Sequence, residues 1–313
     1  MAEEKKGAFK KLIEEYKSSL KPPETEELVN SIINRPLAFL VAKIFYRLKR
    51  SPNFVTLFSL VFGVASGFFF MRGSYASNLT GAVLLELMVI FDCADGQLAR
   101  MTGKSSKFGK TLDGLADMMT HFSIFYGLAA GIYLSKGTIL PFISAVIAQL
   151  SMYLHVIMYD HFKNVFIHVT RPDYVDKLET PEQLEEKIKR DEQKYGKNSI
   201  KAFISKLYYL FYKIEYWAVS IAYPRGVKSF YDVYPDPSKL DTEFRDMYYK
   251  EMKLSVRLWS FIGDTMHLSI FIIFALLNST HLIFPVIIFA TNAYMIAVTL
   301  YQRKKFMALK IFH

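Results

Sequence analysis

The chain has 313 residues, 52% of them hydrophobic and 16% aromatic, with a mean hydropathy of +0.17. That apolar content excludes an ordinary soluble domain, and 22% charged residues exclude a chain wholly immersed in lipid, so a polytopic membrane protein with sizeable aqueous parts fits both. The formal charge of +10 is assigned to basic loops at an anionic membrane face rather than to nucleic acid, and the single cysteine, Cys93, excludes an internal disulfide.

The first stretch, MAEEKKGAFKKLIEEYKSSL, has no signal-peptide apolar core, so the first membrane segment is expected to direct insertion. Phe9, Leu12, Ile13, Tyr16 and Leu20 recur at helical spacing up to the stop at Pro22-Pro23. Residues 25–50 form a second amphipathic stretch with a break or kink at Pro36. Its apolar side carries Leu37, Leu40, Ile44 and Leu48, with Arg35, Lys43, Arg47, Lys49 and Arg50 interspersed. This second pattern predicts a helix lying in the membrane interface, and the first suits either a solvated surface helix or an interfacial one.

Six spans follow, at 54–71, 76–91, 109–134, 138–158, 256–277 and 281–301. Gly63-x3-Gly67 in the first and Gly127-x3-Gly131 in the third offer small-residue faces, for packing within or between subunits. The fifth carries Arg257, Asp264 and His267, and the last two are spaced for a functional role or an ion pair. Between the fourth and fifth spans lies a 160–253 insert, with a charged helix, PEQLEEKIKRDEQKYGK, and an aromatic stretch, KLYYLFYKIEYWAVSIAYP. The Tyr, Trp and Phe density at 208–223 predicts a helix at headgroup level. Ligand recognition, a lid and dimer contacts are alternative roles for the insert. The expected fold is thus all-α and integral to the membrane. Its parts are interfacial helices over 1–50, spans one to four over 51–159, the helical insert over 160–253, and the last two spans with a basic tail over 254–313. Lys and Arg crowd the N-terminal part, the 92–110 loop, the insert and the C-terminus, while the other loops carry only Arg72, Lys136 and His281. By that bias both termini and the 92–110 loop face the cytoplasm of a cell membrane.

The chemistry sits between the second and third spans, in DCADGQLARMTGKSSKFGKTLDGLAD. Asp92 and Asp95 are spaced i,i+3, and Asp113 and Asp117 i,i+4, so each pair lies on one face of a helix. Carboxylates at membrane depth are costly and would repel one another. Hard divalent cations with oxygen ligands resolve both problems, which predicts two helices facing each other across one or two Mg2+ ions, with Mn2+ an alternative. Gly96 permits close ligand approach, and Arg100 offers a fork for phosphate oxygens. Cys93, between two of the aspartates, is a small filler, because soft sulfur suits Mg2+ poorly.

This arrangement resembles the signature of the CDP-alcohol phosphotransferase family, D-x2-D-G-x2-A-R, a spacer, then G-x3-D-x3-D. Asp92, Asp95, Gly96, Ala99, Arg100, Gly109, Asp113 and Asp117 fill every fixed position. Pro52, Asn53 and Thr56 match a P-N-x2-T motif that opens the first span in that family. The resemblance implies transfer of a substituted phosphate from a CDP-alcohol donor to an acceptor alcohol, with CMP released, a phosphodiester formed and a homodimer as the assembly. It implies that Asp92, Asp95 and Asp113 are metal ligands and that Asp117 is the base and touches a metal. Asn53, Thr56, Gly96, Ala99, Arg100 and Gly109 would contact the CDP moiety, although Asn53 and Thr56 also suit helix capping. Tyr159, His161 and Lys163, after the fourth span, are placed where the family holds an acceptor phosphate, and they also suit an ordinary interface.

The product is expected to be a phospholipid or, with a CDP-inositol donor, another polar phosphodiester. A magnesium-dependent membrane prenyltransferase is the rival reading, but Gly96, Ala99 and Arg100 do not belong to its D-x3-D pattern. A divalent-cation transporter would need a polar path to both faces, and apart from Glu86 the outer halves of the spans are mostly aliphatic.

Overall fold

The computed structural model describes residues 2–20, 22–104, 107–171 and 181–309. Ser105 and Ser106 of the basic loop and residues 172–180 of the insert lie outside the described residues, as do the side chains of Phe9, Lys107, Tyr208 and Phe211. Among the described residues all regular structure is helical. In chain order the helices are α1 (Ala2–Ser18), α2 (Arg35–Arg47), α3 (Pro52–Met71), α4 (Tyr75–Thr102), α5 (Lys107–Lys136), α6 (Leu140–Thr170), α7 (Pro181–Tyr195), α8 (Ile200–Ser220), α9 (Phe230–Val233), α10 (Thr242–Trp259), α11 (Asp264–Leu276) and α12 (Thr280–Ala308). The chain divides into two compact units, one of residues up to Tyr153 with Ser260–Ala293, the other of Leu154–Trp259 with Tyr294–His313.

The first unit is organised by α3, which packs along both α4 and α5. Ser74 starts α4 by accepting a hydrogen bond from the Ser77 backbone N–H, and Gly103, at φ +65°, ends it in the left-handed region. The two small-residue faces meet within one subunit. A Cβ on Gly127 would stand 2.1 Å from the Gly67 carbonyl oxygen, and one on Gly67 would stand 2.2 Å from Ser123 Oγ. Such contact needs glycine on both helices, and it sets the spacing between the helix that carries Thr56 and the helix that carries Asp113. Gly127→Ala is therefore expected to destabilise the protein by about 1–3 kcal/mol through overpacking, read as a lower unfolding temperature in detergent.

The break expected at Pro36 does not occur. The helix runs without a gap from residue 28 through a π-helical turn over Asn30–Asn34 into α2, and the proline sits directly after that widened turn. Ala38 and Ala42 of α2 join a buried cluster with Ile90, Cys93, Ala94 and Leu98 of α4. Leu37, Leu40, Ile44 and Leu48 are exposed on the other side.

The segment before α2 also anchors α11. Glu27, buried, accepts the backbone N–H groups of Thr265 (3.4 Å) and Met266 (2.9 Å), so its carboxyl caps the N-terminus of α11. Burial, and behind it the neighbouring Asp264 carboxylate, push the Glu27 pKa from 4.5 to about 8, against the two N–H donors. Below pH 4.5 the carboxyl is protonated whether the chain is folded or not. From there to about pH 8 the unfolded chain ionises while the folded carboxyl keeps its proton, so stability falls as pH rises through that window. Glu27→Gln keeps an acceptor oxygen and loses the charge. It is expected to flatten this slope in unfolding curves recorded across pH 4.5 to 8.

Three helices, α3, α6 and α12, are long and apolar enough to cross a membrane, and α10 with α11 makes a fourth if the pair broken at Gly263 is one span. The sequence reading had six. The difference lies in α4 and α5, which have 28 and 30 residues but carry Glu86, Asp92, Asp95, Asp113, Asp117 and His121 along their length.

In the second unit Trp259 stacks on Phe162, and Tyr223 stacks on Phe306. With Phe230 and Tyr248 these form a fully buried aromatic core. Against α7, α8 is held by Ser205 donating to Asp191 (2.5 Å), by Lys206 paired with Glu192 (2.7 Å) and by Tyr209 donating to Glu185. The helix α6 runs without interruption through residues 159–160.

Candidate metal centre

Asp92 and Asp95 sit three residues apart on α4, and Asp113 reaches them from α5. Each of the three offers one carboxylate oxygen, and these oxygens all lie within 4.8 Å of one another. Asp95 is buried, and Asp92 and Asp113 are half-buried. Three converging carboxylates repel one another at this range unless a cation sits among them. A set of hard oxygen donors matches a divalent cation of the Mg2+, Mn2+ or Ca2+ type and not a soft one, so the residues present fit a metal ion.

The buried member is oriented by α3. Thr56 Oγ1 donates to Asp95 Oδ2 at 2.5 Å. One turn earlier Asn53 is half-buried in the first turn of α3. On α4, Gly96, Ala99 and Arg100 follow Asp95, all half-buried. A Cβ on Gly96 would meet only Arg100, with Nη1 and Nη2 each at 3.6 Å, an ordinary contact distance. Packing therefore does not require glycine at 96, and the space above it is bounded by the guanidinium fork. Arg100 Nε donates to the Ser19 carbonyl at 2.5 Å, and Gln97 Nε2 donates to Ser19 Oγ at 3.3 Å, so the residues after α1 are tied to the motif. Gly109 is half-buried on α5, one turn before Asp113.

Asp117 is not one of the three converging carboxylates. It lies one turn beyond Asp113 on α5, in the electrostatic field of Asp92, Asp264, Asp113 and Asp95. Four residues on, the buried His121 has Nε2 3.1 Å from Asp264 Oδ1. Asp264 thus pairs with His121, and His267, its expected neighbour in sequence, turns its Nδ1 to the Gly263 carbonyl at 2.7 Å. The spacing of His121 from Asp117 on one helix face was the signal that would have found it. Arg35, expected among the interfacial cations, is instead buried. It pairs with Glu26 at 3.2 Å and donates to the Cys93 carbonyl at 3.3 Å, close enough to act on Asp92.

The three residues expected to hold an acceptor belong to the second unit. His161 is buried, with Nδ1 3.1 Å from Glu215 Oε1 and Nε2 3.0 Å from the Tyr223 hydroxyl. Burial pushes the Tyr223 pKa well up, so this hydroxyl stays protonated and can donate to Nε2 while Nδ1–H donates to Glu215. Both ring nitrogens are then engaged within the unit. Lys163 pairs with Asp160 and lies over the Tyr159 ring, 4.8 Å from its centroid.

A family model described as CDP-alcohol phosphatidyltransferase matches residues 49–184, a stretch that contains the whole motif from Asn53 to Asp117. A phosphatidylinositol phosphate synthase of Corynebacterium glutamicum is 39% identical over 85 residues, which is 27% of this chain and 38% of that protein. An archaetidylinositol phosphate synthase of Pyrococcus horikoshii is 34% identical over 82 residues, 26% of this chain and 42% of that protein. One of the same name from Aeropyrum pernix is 29% identical over 128 residues, 37% of this chain and 63% of that protein. Each match therefore spans less than two thirds of the relative's length. The converging carboxylates, the threonine that orients the buried one and the matched stretch that encloses them agree: residues 49–184, somewhat under half of the chain, are similar to a CDP-alcohol phosphatidyltransferase domain.

Proposed function

We propose that the protein transfers a substituted phosphate group from a CDP-alcohol to an acceptor alcohol in phospholipid synthesis. The observation that carries this reading is the meeting of Asp92, Asp95 and Asp113 from two helices, with Thr56 holding the buried carboxylate. Asp92, Asp95 and Asp113 hold Mg2+, at two sites when Asp117 contributes an oxygen, and Mn2+ can take its place. When bound, the cation neutralises charge on the diphosphate and stabilises the departing CMP. Asn53, Thr56, Gly96, Ala99, Arg100 and Gly109 line the CDP moiety, with glycine at 96 letting the nucleotide approach the backbone. Asp117 takes the proton of the acceptor hydroxyl as its oxygen attacks the phosphorus distal to cytidine. The bond from that phosphorus to the bridging oxygen breaks, and CMP leaves with the electron pair.

The protein works embedded in a cell membrane. We read α4 and α5 as spans in addition to those of sufficient apolarity, which gives six, with α1 and α2 at the interface and with the site and both termini on the cytoplasmic side. The assembly is a homodimer. Tyr159 and Lys163 remain the acceptor residues of this reading, and His161 positions the helix they share.

The test is CMP release by purified full-length protein from a panel of CDP-alcohols. Inositol phosphate heads the acceptors, because the relatives' names specify an inositol phosphate product. The reading expects CMP with at least one lipid donor and only with a divalent cation. No CMP with any donor overturns it.

A further inference from the structure

We propose that α8 lies in the headgroup layer of the bilayer, with its apolar stripe at the acyl boundary and its lysine edge on anionic headgroups. Phe203, Leu207, Leu210, Ile214, Trp217 and Ile221 recur at helical spacing, and all are exposed. Phe203 and Trp217 show 65% and 67% of their surface. The opposite side of the helix is engaged by α7 through Asp191, Glu192 and Glu185. An exposed stripe of six large apolar side chains marks a surface that something covers.

Three observations select a bilayer as the occupant. The chain carries three helices apolar enough to cross a membrane, and α8 lies in the segment between two of them, α6 and α12, so the chain itself tethers it to the bilayer. Lys213 is exposed on one edge of the stripe, and Lys206, seven residues earlier on that edge, is half-exposed beside its partner Glu192, so the cation offered to anionic lipid is Lys213. Tyr209, Tyr212, Tyr216 and Trp217 give the helix the aromatic content of the membrane–water boundary. The proposal rests on the membrane reading above and is independent of the reaction.

The chain has two tryptophans, Trp217 and the fully buried Trp259. In full-length Trp259→Phe protein, reconstituted in phosphatidylcholine–phosphatidylglycerol vesicles, Trp217 alone reports. Its emission is expected at short wavelength, with loss of intensity when the acyl chains are brominated near the headgroup. If Trp259→Phe does not fold, the difference between wild type and Trp217→Phe isolates the same signal. Long-wavelength emission open to acrylamide and insensitive to bromine would mean a solvated helix and overturn the proposal. Short-wavelength emission insensitive to bromine would mean a protein cover, such as a second copy of the chain, and would overturn it equally. Protein that does not float with the vesicles would overturn the membrane reading, and the proposal with it.

Discussion

Asp95→Asn is expected to cut CMP release about a thousandfold or more. Metal-assisted charge stabilisation on a transferring phosphoryl group is worth several kcal/mol, and about 1.4 kcal/mol corresponds to a tenfold change in rate. Asp95 is the buried member of the three converging carboxylates and the one that Thr56 orients, so no neighbouring water-exposed acid can replace it. The same substitution is expected to act on stability in the opposite sense. With a chelator present, wild type holds three like charges together, and removing one relieves repulsion. Asp95→Asn protein should then unfold at the same or a higher temperature than wild type in chelator, and should gain less from added Mg2+. A residue that only braced the helices would lose stability in both conditions.

Asp117→Asn is expected to lower turnover by about a hundred- to ten-thousandfold, the range for removing a general base. It should leave most of the Mg2+-dependent rise in unfolding temperature in place, because Asp117 stands outside the three oxygens that converge within 4.8 Å. That split separates the base from the ligands. If the Mg2+ effect vanished with the activity, Asp117 would belong to the metal set first. The His121–Asp264 pair at 3.1 Å stands beside Asp117 and braces α5 against α11.

The parts of the site that were legible in sequence are local ones. Asp92 with Asp95, and Asp113 with Asp117, declare their shared helix faces by spacing alone, and the small residues around Gly96 mark a place where backbone stays open. Thr56 was legible through its motif, although its partner was not: whether it caps a helix or touches a carboxylate depends on α4 lying beside α3. The partners that escaped are those made across long stretches of chain. Glu27 caps a helix that begins at Asp264, and Asn30 donates to Thr265 Oγ1 at 2.9 Å. Nothing in the amphipathic pattern of residues 25–50 distinguishes a carboxylate facing water from one seated on a helix N-terminus. Arg35 escaped for the same reason, because an arginine among interfacial lysines reads as a headgroup contact until Glu26 and the Cys93 carbonyl are seen around it. His161 illustrates the converse. Its sequence neighbours Tyr159 and Lys163 make it resemble a phosphate contact, and only the distant Glu215 and Tyr223 reveal that both nitrogens are engaged. The span count differs where hydropathy and function compete, since the helices that carry the acids are the ones that fall short of the apolarity of α3, α6 and α12.

The most direct test of the central claim is the anomalous signal of Mn2+ in crystals of the full-length protein soaked with a CDP-alcohol. The account predicts a peak about 2.1 Å from carboxylate oxygens of Asp92, Asp95 and Asp113, the usual distance for an octahedral hard cation, with the diphosphate against Gly96 and Arg100. A metal bound elsewhere while these three carboxylates stay uncoordinated, or a nucleotide seated away from Gly96, would contradict it.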